Sequence, residues 1–185
     1  MLKLLIVPLN LNSGNNGDMV KPKIDIPTVE YILEKLASLA VPMDMHDFSK
    51  EEYKKIFPHG WIITPLGEVK IGKNQYEKLR DRDGGKRRSL IGAMRQTLSD
   101  PVTVIAETEG GRKAEVYIKS FRDEGKVGID TVMSVVVKKD EQRVAISTYK
   151  RKPREVVNKI KKADGIVYIK DNAPQPDEQE ITPAN

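Results

Sequence analysis

Ile129-Asp-Thr-Val-Met-Ser-Val-Val-Val137, followed by Lys138-Lys-Asp-Glu-Gln142 and then Arg143-Val-Ala-Ile-Ser-Thr-Tyr149, decides the fold. Both outer runs are rich in β-branched residues, which suit a pleated, half-buried surface, and the polar run between them reads as a turn. The stretch therefore predicts a β-hairpin. Its return strand leads into Lys150-Arg-Lys152 and stops at Pro153. Hydroxyls and cations thus alternate where a strand ends, a pattern suited to holding an anion.

Working outward, Val102–Glu107 and Lys113–Phe121 read as two more strands joined by Glu109-Gly-Gly111. Strand alternation puts Ala114, Val116, Ile118 and Ser120 on one face and Glu115, Tyr117, Lys119 and Phe121 on the other. Upstream, Trp61–Thr64 and Glu68–Ile71 are short strands around the Pro65-Leu-Gly67 turn. Asn74–Arg82 and Lys86–Leu98 have helical spacing, the second with Leu90, Ile91, Met94 and Leu98 in one stripe. Downstream, Pro153 suits the first position of a helix, where its missing N–H is not needed. Val156, Val157, Ile160 and Ala163 form that helix's apolar stripe, Gly165 stops it, and Ile166–Lys170 is a last strand.

Before Gly60, Thr28–Ala40 reads as a helix after Pro27, and Ser49-Lys-Glu-Glu52 is a capping box opening a second. The first nine residues read as a strand and not as a signal peptide, Asn10–Lys23 as a polar loop, and 172–185 as a disordered tail. The expected fold class is α+β: N-terminal helices, then an antiparallel sheet of four or more strands with one crossing helix. The expected organisation is an N-terminal strand plus helical adapter over 1–59, a basic α+β domain over 60–171 and the tail.

Charge singles out the middle of the chain. Residues 60–172 hold 25 Lys and Arg against 16 Asp and Glu, whereas the remainder holds 7 against 11. A basic body with mildly acidic ends suits a polyanionic partner. There is no cysteine, which removes disulfides and thiolate metal sites and fits a reducing compartment such as the cytoplasm. No apolar run approaches a membrane span. Of the two histidines, only His59 adjoins the basic body, just before Trp61, and it reads as a loop residue. No phosphate-binding loop, dinucleotide fingerprint or zinc-protease motif is present, so neither a cofactor nor a metal is expected.

The candidate site is built from two segments. Tyr117 and Lys119 share a strand face, with Ser120 and Arg122 beside them. Ser147, Thr148, Tyr149, Lys150, Arg151 and Lys152 end another strand. If the strands are neighbours, these groups converge on one groove, where cations and hydroxyls grip an RNA phosphate and Tyr117 or Tyr149 stacks on a base. Cleaving RNA without a metal needs a base for the 2′-hydroxyl, an acid for the leaving 5′-oxygen and cations for the phosphorane. Lys119, Tyr149, Lys150 and Arg151 are the candidate catalytic residues. Tyr117, Ser120, Arg122, Ser147, Thr148 and Lys152 are the candidate binding residues.

The order Gly67-Glu-Val-Lys-Ile71, Leu98-Ser-Asp-Pro101, Ala114-Glu-Val-Tyr-Ile-Lys-Ser-Phe121, Val135-Val-Val137, Val144-Ala-Ile-Ser-Thr148 and Ile166-Val-Tyr-Ile169 resembles a phage-encoded nuclease domain of the barnase–EndoU–colicin–RelE-like superfamily. The resemblance spans about residues 60–171. It implies leading helices, an antiparallel sheet and RNase activity that leaves a 2′,3′-cyclic phosphate. It also implies roles for Lys119 as the strand lysine, for Ser147 and Thr148 at the end of a late strand, and for Lys150 and Arg151 as the cations after them. RNA is the implied substrate, and an immunity or phage protein a further partner. The alternative is a non-catalytic RNA- or protein-binding module, a phage structural or interaction protein, on the same fold.

Overall fold

The computed structural model describes residues 24–72, 74–123, 125 and 127–171. The expected N-terminal strand, the loop after it and the C-terminal tail lie outside the described residues. Among these residues the chain runs α1 (Ile26–Ser38), β1 (Val41–Pro42), α2 (Lys50–Ile56), β2 (Trp61–Thr64), β3 (Gly67–Ile71), α3 (Gln75–Asp81), α4 (Ile91–Ser99), β4 (Thr103–Glu109), β5 (Arg112–Arg122), β6 (Ile129–Lys139), β7 (Gln142–Arg151), α5 (Pro153–Lys161) and β8 (Gly165–Ile169). The strands form one mixed sheet in the order β2-β3-β7-β6-β5-β4-β8, with β1 added beside the end of β5.

The α+β class holds, and two features differ from the sequence expectation. The sheet is not wholly antiparallel, because β3 runs parallel to β7 and β1 parallel to β5. Helices also cover both faces, where a single crossing helix was expected. The reason lies in β5, β6 and β7, which carry apolar side chains on both faces. One face buries Val104, Tyr117, Phe121, Val132, Val136 and Ala145 against Leu79, Ile91, Met94 and Leu98. The other buries Val116, Ile118 and Met133 against Val29, Ile32 and Leu36 of α1 and Val156 and Ile160 of α5. We call these the α4 face and the α5 face.

Local chemistry sets the element ends. Asp25 caps α1 by accepting from the Thr28 N–H at 2.8 Å, and Ser49 caps α2 by accepting from the Glu52 N–H at 3.0 Å. Pro153 opens α5 as expected, but α5 ends at Lys161, and Gly165 begins β8 instead of capping the helix. α4 starts at Ile91, later than its periodicity suggests. Asp83, Gly84 and Gly85 take positive φ just upstream, and Arg88–Leu90 is only a 3₁₀ turn. Gly92 on α4 lets the chain segment before α2 lie flat on the helix. A Cβ there would fall inside the Asp44 carbonyl oxygen and press on the His46 ring. Gln96 then clamps that segment, accepting from the Asp44 N–H at 3.0 Å and donating to the Pro42 carbonyl at 3.1 Å.

The central hairpin is tighter than its sequence suggests. Lys139 pairs with Gln142, leaving only Asp140 and Glu141 in the turn, with φ of 49° and 61°. Two consecutive left-handed residues make the mirror-image turn whose twist matches the flanking strands, and glycine tolerates that conformation best. Replacing Glu141 by Gly should therefore stabilise the protein by about 0.5–1 kcal/mol, read as a rise in denaturant midpoint at constant m-value. An unchanged or lowered midpoint would contradict the strain assigned to Glu141. Its exposed 2.9 Å pair with Lys138 offsets little.

Candidate nucleic-acid interface

The end of β7 is positioned by a one-residue bulge. Ala145 pairs with Val136 and Ser147 with Val135, so Ile146 is the extra residue. An inserted residue reverses the alternation beyond it. Ala145 lies on the α4 face, whereas Ser147, Tyr149 and Arg151, opposite Val135, Met133 and Thr131, lie on the α5 face.

β7 also loses its outer neighbour at this point. β3 pairs with it only at Val144 and Ala145, and the Gly72 N–H reaches the Ala145 carbonyl at 3.2 Å. Beyond that, side-chain cations replace backbone donors. Lys78 Nζ donates to the Ile146 carbonyl at 2.6 Å, and Arg87 Nη1 donates to the Thr148 carbonyl and to Ser147 Oγ, both at 3.2 Å. Edge carbonyls need partners, and here lysine and arginine supply them. Arg87 also sits over the Tyr149 ring, 5.6 Å from its centroid, and Arg151 stacks on the same ring at 4.4 Å.

The result is a guanidinium–aromatic–guanidinium cluster with a serine hydroxyl at its base. Carboxylates hold both arginines from the solvent side: Asp83 pairs with Arg87 at 2.6 Å and Glu155 with Arg151 at 3.4 Å. Arg87 keeps 14% of its side chain exposed and Arg151 keeps 41%. Burial, with Arg82 and Arg87 nearby, pulls the Lys78 ammonium below its ordinary value. Positive charge is thus concentrated along this edge.

The remaining candidate residues are scattered. Lys119 and Arg151 were expected to share a groove, and the bulge separates them. Lys119 pairs with Val132 on the α4 face and is 2% exposed. Its ammonium donates to the Asp100 carbonyl at 2.7 Å and to Asp100 Oδ2 at 2.8 Å. Tyr117 is fully buried beneath α4, with its hydroxyl 3.2 Å from Thr64 Oγ1 and 3.4 Å from Glu115, so no base can stack on it. Burial pushes its phenol up to about 12. Ser120 bonds the Thr131 hydroxyl and Thr148 bonds the Ser134 hydroxyl, both within the sheet. Lys150 is exposed on the α4 face and pairs with Asp130 at 2.6 Å. Arg122 reaches the Ala37 carbonyl at 3.4 Å, and the Lys152 backbone caps α5 through Glu155. Ser147, Tyr149 and Arg151 are brought together; Lys119, Tyr117, Ser120 and Thr148 are buried elsewhere in hydrogen bonds of their own.

Arg87 and Lys78 were missed. For Arg87 only the i,i+4 spacing from Asp83 signals an ordered side chain. Among the described residues no group of three or more His, Asp or Glu side chains is placed to hold a metal ion, and no helix is long and apolar enough to cross a membrane.

The described residues thus form a mixed α+β sheet with cations gathered at the end of β7. Residues 45–168, more than half of the chain, match the family described as phage-Barnase-EndoU-ColicinE5/D-RelE like nuclease2, and the chain belongs to that family. The match includes α2, upstream of the Gly60 boundary drawn from composition. No curated protein and no solved structure matches the chain.

Lys119 yields a stability prediction. Burial raises the Asp100 carboxyl, but its bonds to Lys119 and Lys170 outweigh that and hold it below its ordinary value of 3.8. A lowered carboxylate contributes stability above its ordinary pKa and loses it as pH falls through the folded value. Lys119→Met should cost about 1–3 kcal/mol in denaturant unfolding at pH 7. That is less than for a fully buried pair, because the Asp100 side chain is 51% exposed. The variant should also lose less stability than wild type between pH 4 and pH 2. A loss of nucleic-acid binding by a fully folded Lys119→Met protein would contradict this structural role.

Proposed function

We propose that this nuclease-family domain is a metal-independent ribonuclease, cleaving RNA by attack of a 2′-hydroxyl on the adjacent phosphate to leave a 2′,3′-cyclic phosphate. The observation that carries the reading is the Arg87–Tyr149–Arg151 cluster with Ser147 at its base, at the strand end where Lys78 and Arg87 replace a neighbouring strand. Two guanidinium groups and a hydroxyl suit a phosphodiester, and planar guanidinium faces suit an unpaired base. Stabilisation of phosphorane charge by fixed cations is the largest contribution such a site makes.

In this reading Arg87 and Ser147 hold the phosphate, since Arg87 is already fixed by Asp83 and the Thr148 carbonyl. Arg151 is the more exposed partner, and Lys150, the preceding residue in β7, adds charge on the α4 face. Tyr149 orients both guanidinium groups. Lys152 and Arg122 contribute long-range attraction only. RNA is the proposed substrate because an intramolecular nucleophile makes a metal-bound water unnecessary, and the donor set is built of cations and hydroxyls. A non-catalytic RNA-binding module is favoured instead if the carboxylates on Arg87 and Arg151 act only to tune affinity.

Arg151→Ala tests the reading with little risk to folding, because its ion pair with Glu155 is exposed. Cleavage of an RNA oligonucleotide should fall about 10–100-fold, with products ending in 2′,3′-cyclic phosphate. Binding of a 2′-deoxy analogue should weaken and lose part of its salt dependence. A wild-type protein that binds RNA with a steep salt dependence yet yields no cleavage products would favour the binding module.

A further inference from the structure

The α5 face of the sheet continues past the cluster on β7 to the edge strand β2. Ile62 and Val69 pack into the core beneath α4, so their strand neighbours Trp61 and Lys70 point to the α5 side. Lys70 stands opposite Val144 of β7, which makes Trp61, Lys70 and Val144 one row across that face. No described residue of β2 or β3 belongs to the core that α1 and α5 cover.

Trp61 is the only tryptophan in the chain. It is 38% exposed, and Ile63, on the same side of β2, is 59% exposed. His59, itself exposed, stacks on the indole with ring centroids 5.4 Å apart and planes inclined by 24°. The stack holds the indole as a flat platform, the surface on which an unpaired base settles.

The platform is in line with the β7 cluster. Along β6, Val137 opposes Val144, Val135 opposes Ser147 and Met133 opposes Tyr149. Two strand spacings across the sheet and four residues along it put the Trp61 position about 17 Å from that of Tyr149. A few nucleotides of single strand bridge that distance. Positive charge follows the same line, with Lys70 exposed beside Trp61, the Arg87 guanidinium on Ser147 between, and Arg151 at the far end. Glu68, opposite Ile63 and beyond Trp61, reverses the sign and ends the track. An apolar protein partner would use Trp61 and Ile63 alone. Aromatic rings spaced among cations suit the bases and phosphates of one nucleic-acid strand.

We propose that the His59–Trp61 platform is a second base-stacking subsite for single-stranded RNA, with Lys70 its phosphate contact, an inference that rests on the reading that RNA lies at the end of β7. RNA held by Arg87 and Arg151 runs past Ser147 and lays another base on Trp61. The subsite favours unpaired RNA over duplex, because a base inside a helix has both faces covered by its neighbours. It contributes affinity and a preference for longer strands, and takes no part in bond breaking.

In the full chain, tryptophan emission reports on Trp61 alone. A single-stranded 2′-deoxy oligonucleotide of about eight nucleotides should quench it saturably, and a duplex of the same sequence should not. Trp61→Ala should bind the single strand about 5–100-fold more weakly with an unchanged salt slope, and Trp61→Phe, which keeps a ring, should recover most of the affinity. Lys70→Ala should lower the salt slope by about one. If Trp61→Ala does not fold, wild-type quenching and the Lys70→Ala slope decide. Saturable binding that leaves Trp61 emission unchanged, equal quenching by the duplex, or full affinity in a folded Trp61→Ala protein overturns the subsite. The reading of the β7 end still stands in those cases if binding depends on Arg151. Emission that changes with protein concentration in the absence of oligonucleotide assigns the face to protein contact and also overturns the subsite. No binding by wild type at low salt overturns both.

Discussion

One extra residue in β7 controls what this sheet presents to solvent. At Val144 and Ala145, just before Ile146, the strand is paired on both sides and alternates in phase with β6. After it the phase is reversed and the outer neighbour is gone. Each consequence has a physical cost that the chain meets locally. Reversal turns Ser147, Tyr149 and Arg151 to the α5 face, where Tyr149 finds apolar contacts beside Met133. Loss of β3 strands the carbonyls of Ile146 and Thr148, and Lys78 and Arg87 pair with them. The cations that complete the backbone are the same ones that make the edge attractive to an anion. Structure and proposed chemistry therefore share residues, and a purely functional reading of Arg87 would miss half its role.

The fold was legible to the extent that it rests on alternation and caps. The faces of β5 follow directly from Glu115-Val-Tyr-Ile-Lys-Ser-Phe121, because no irregularity interrupts that strand. Ser49 and Pro153 announce helix starts through local chemistry that tertiary contacts do not override. The parallel pairing of β3 with β7 was not legible, since two helices and three strands intervene and no local signal names a strand's partner. Nor was the second helical layer, because apolar residues on both faces of β5 and β6 reveal their demand for two covers only once the strands are known to be central.

The candidate site was legible in its residue types and not in their placement. Simple alternation from Ala145 puts Arg151 on the same face as Lys119, and a bulge leaves no mark in Val144-Ala-Ile-Ser-Thr148. Lys119 illustrates the limit. A lysine between Ile118 and Ser120 looks like a functional cation, yet at 2% exposure it serves as an internal tie to the turn at Asp100. The segment before α2 shows a different limit: composition changes near Gly60 and cuts it from the basic body, whereas Gly92 and Gln96 bind it to α4 across a long stretch of chain.

The central claim is that the reversed end of β7 is where RNA lies. The most direct measurement is an amide and arginine side-chain NMR titration of the labelled protein with a 2′-deoxy oligonucleotide that cannot be cleaved. The account predicts saturable shifts at Ser147–Arg151 and at the Arg87 Nε–H, with Lys119 and Asp100 unmoved. Shifts confined to residues remote from Ile146, with Arg87 silent at saturation, would contradict it.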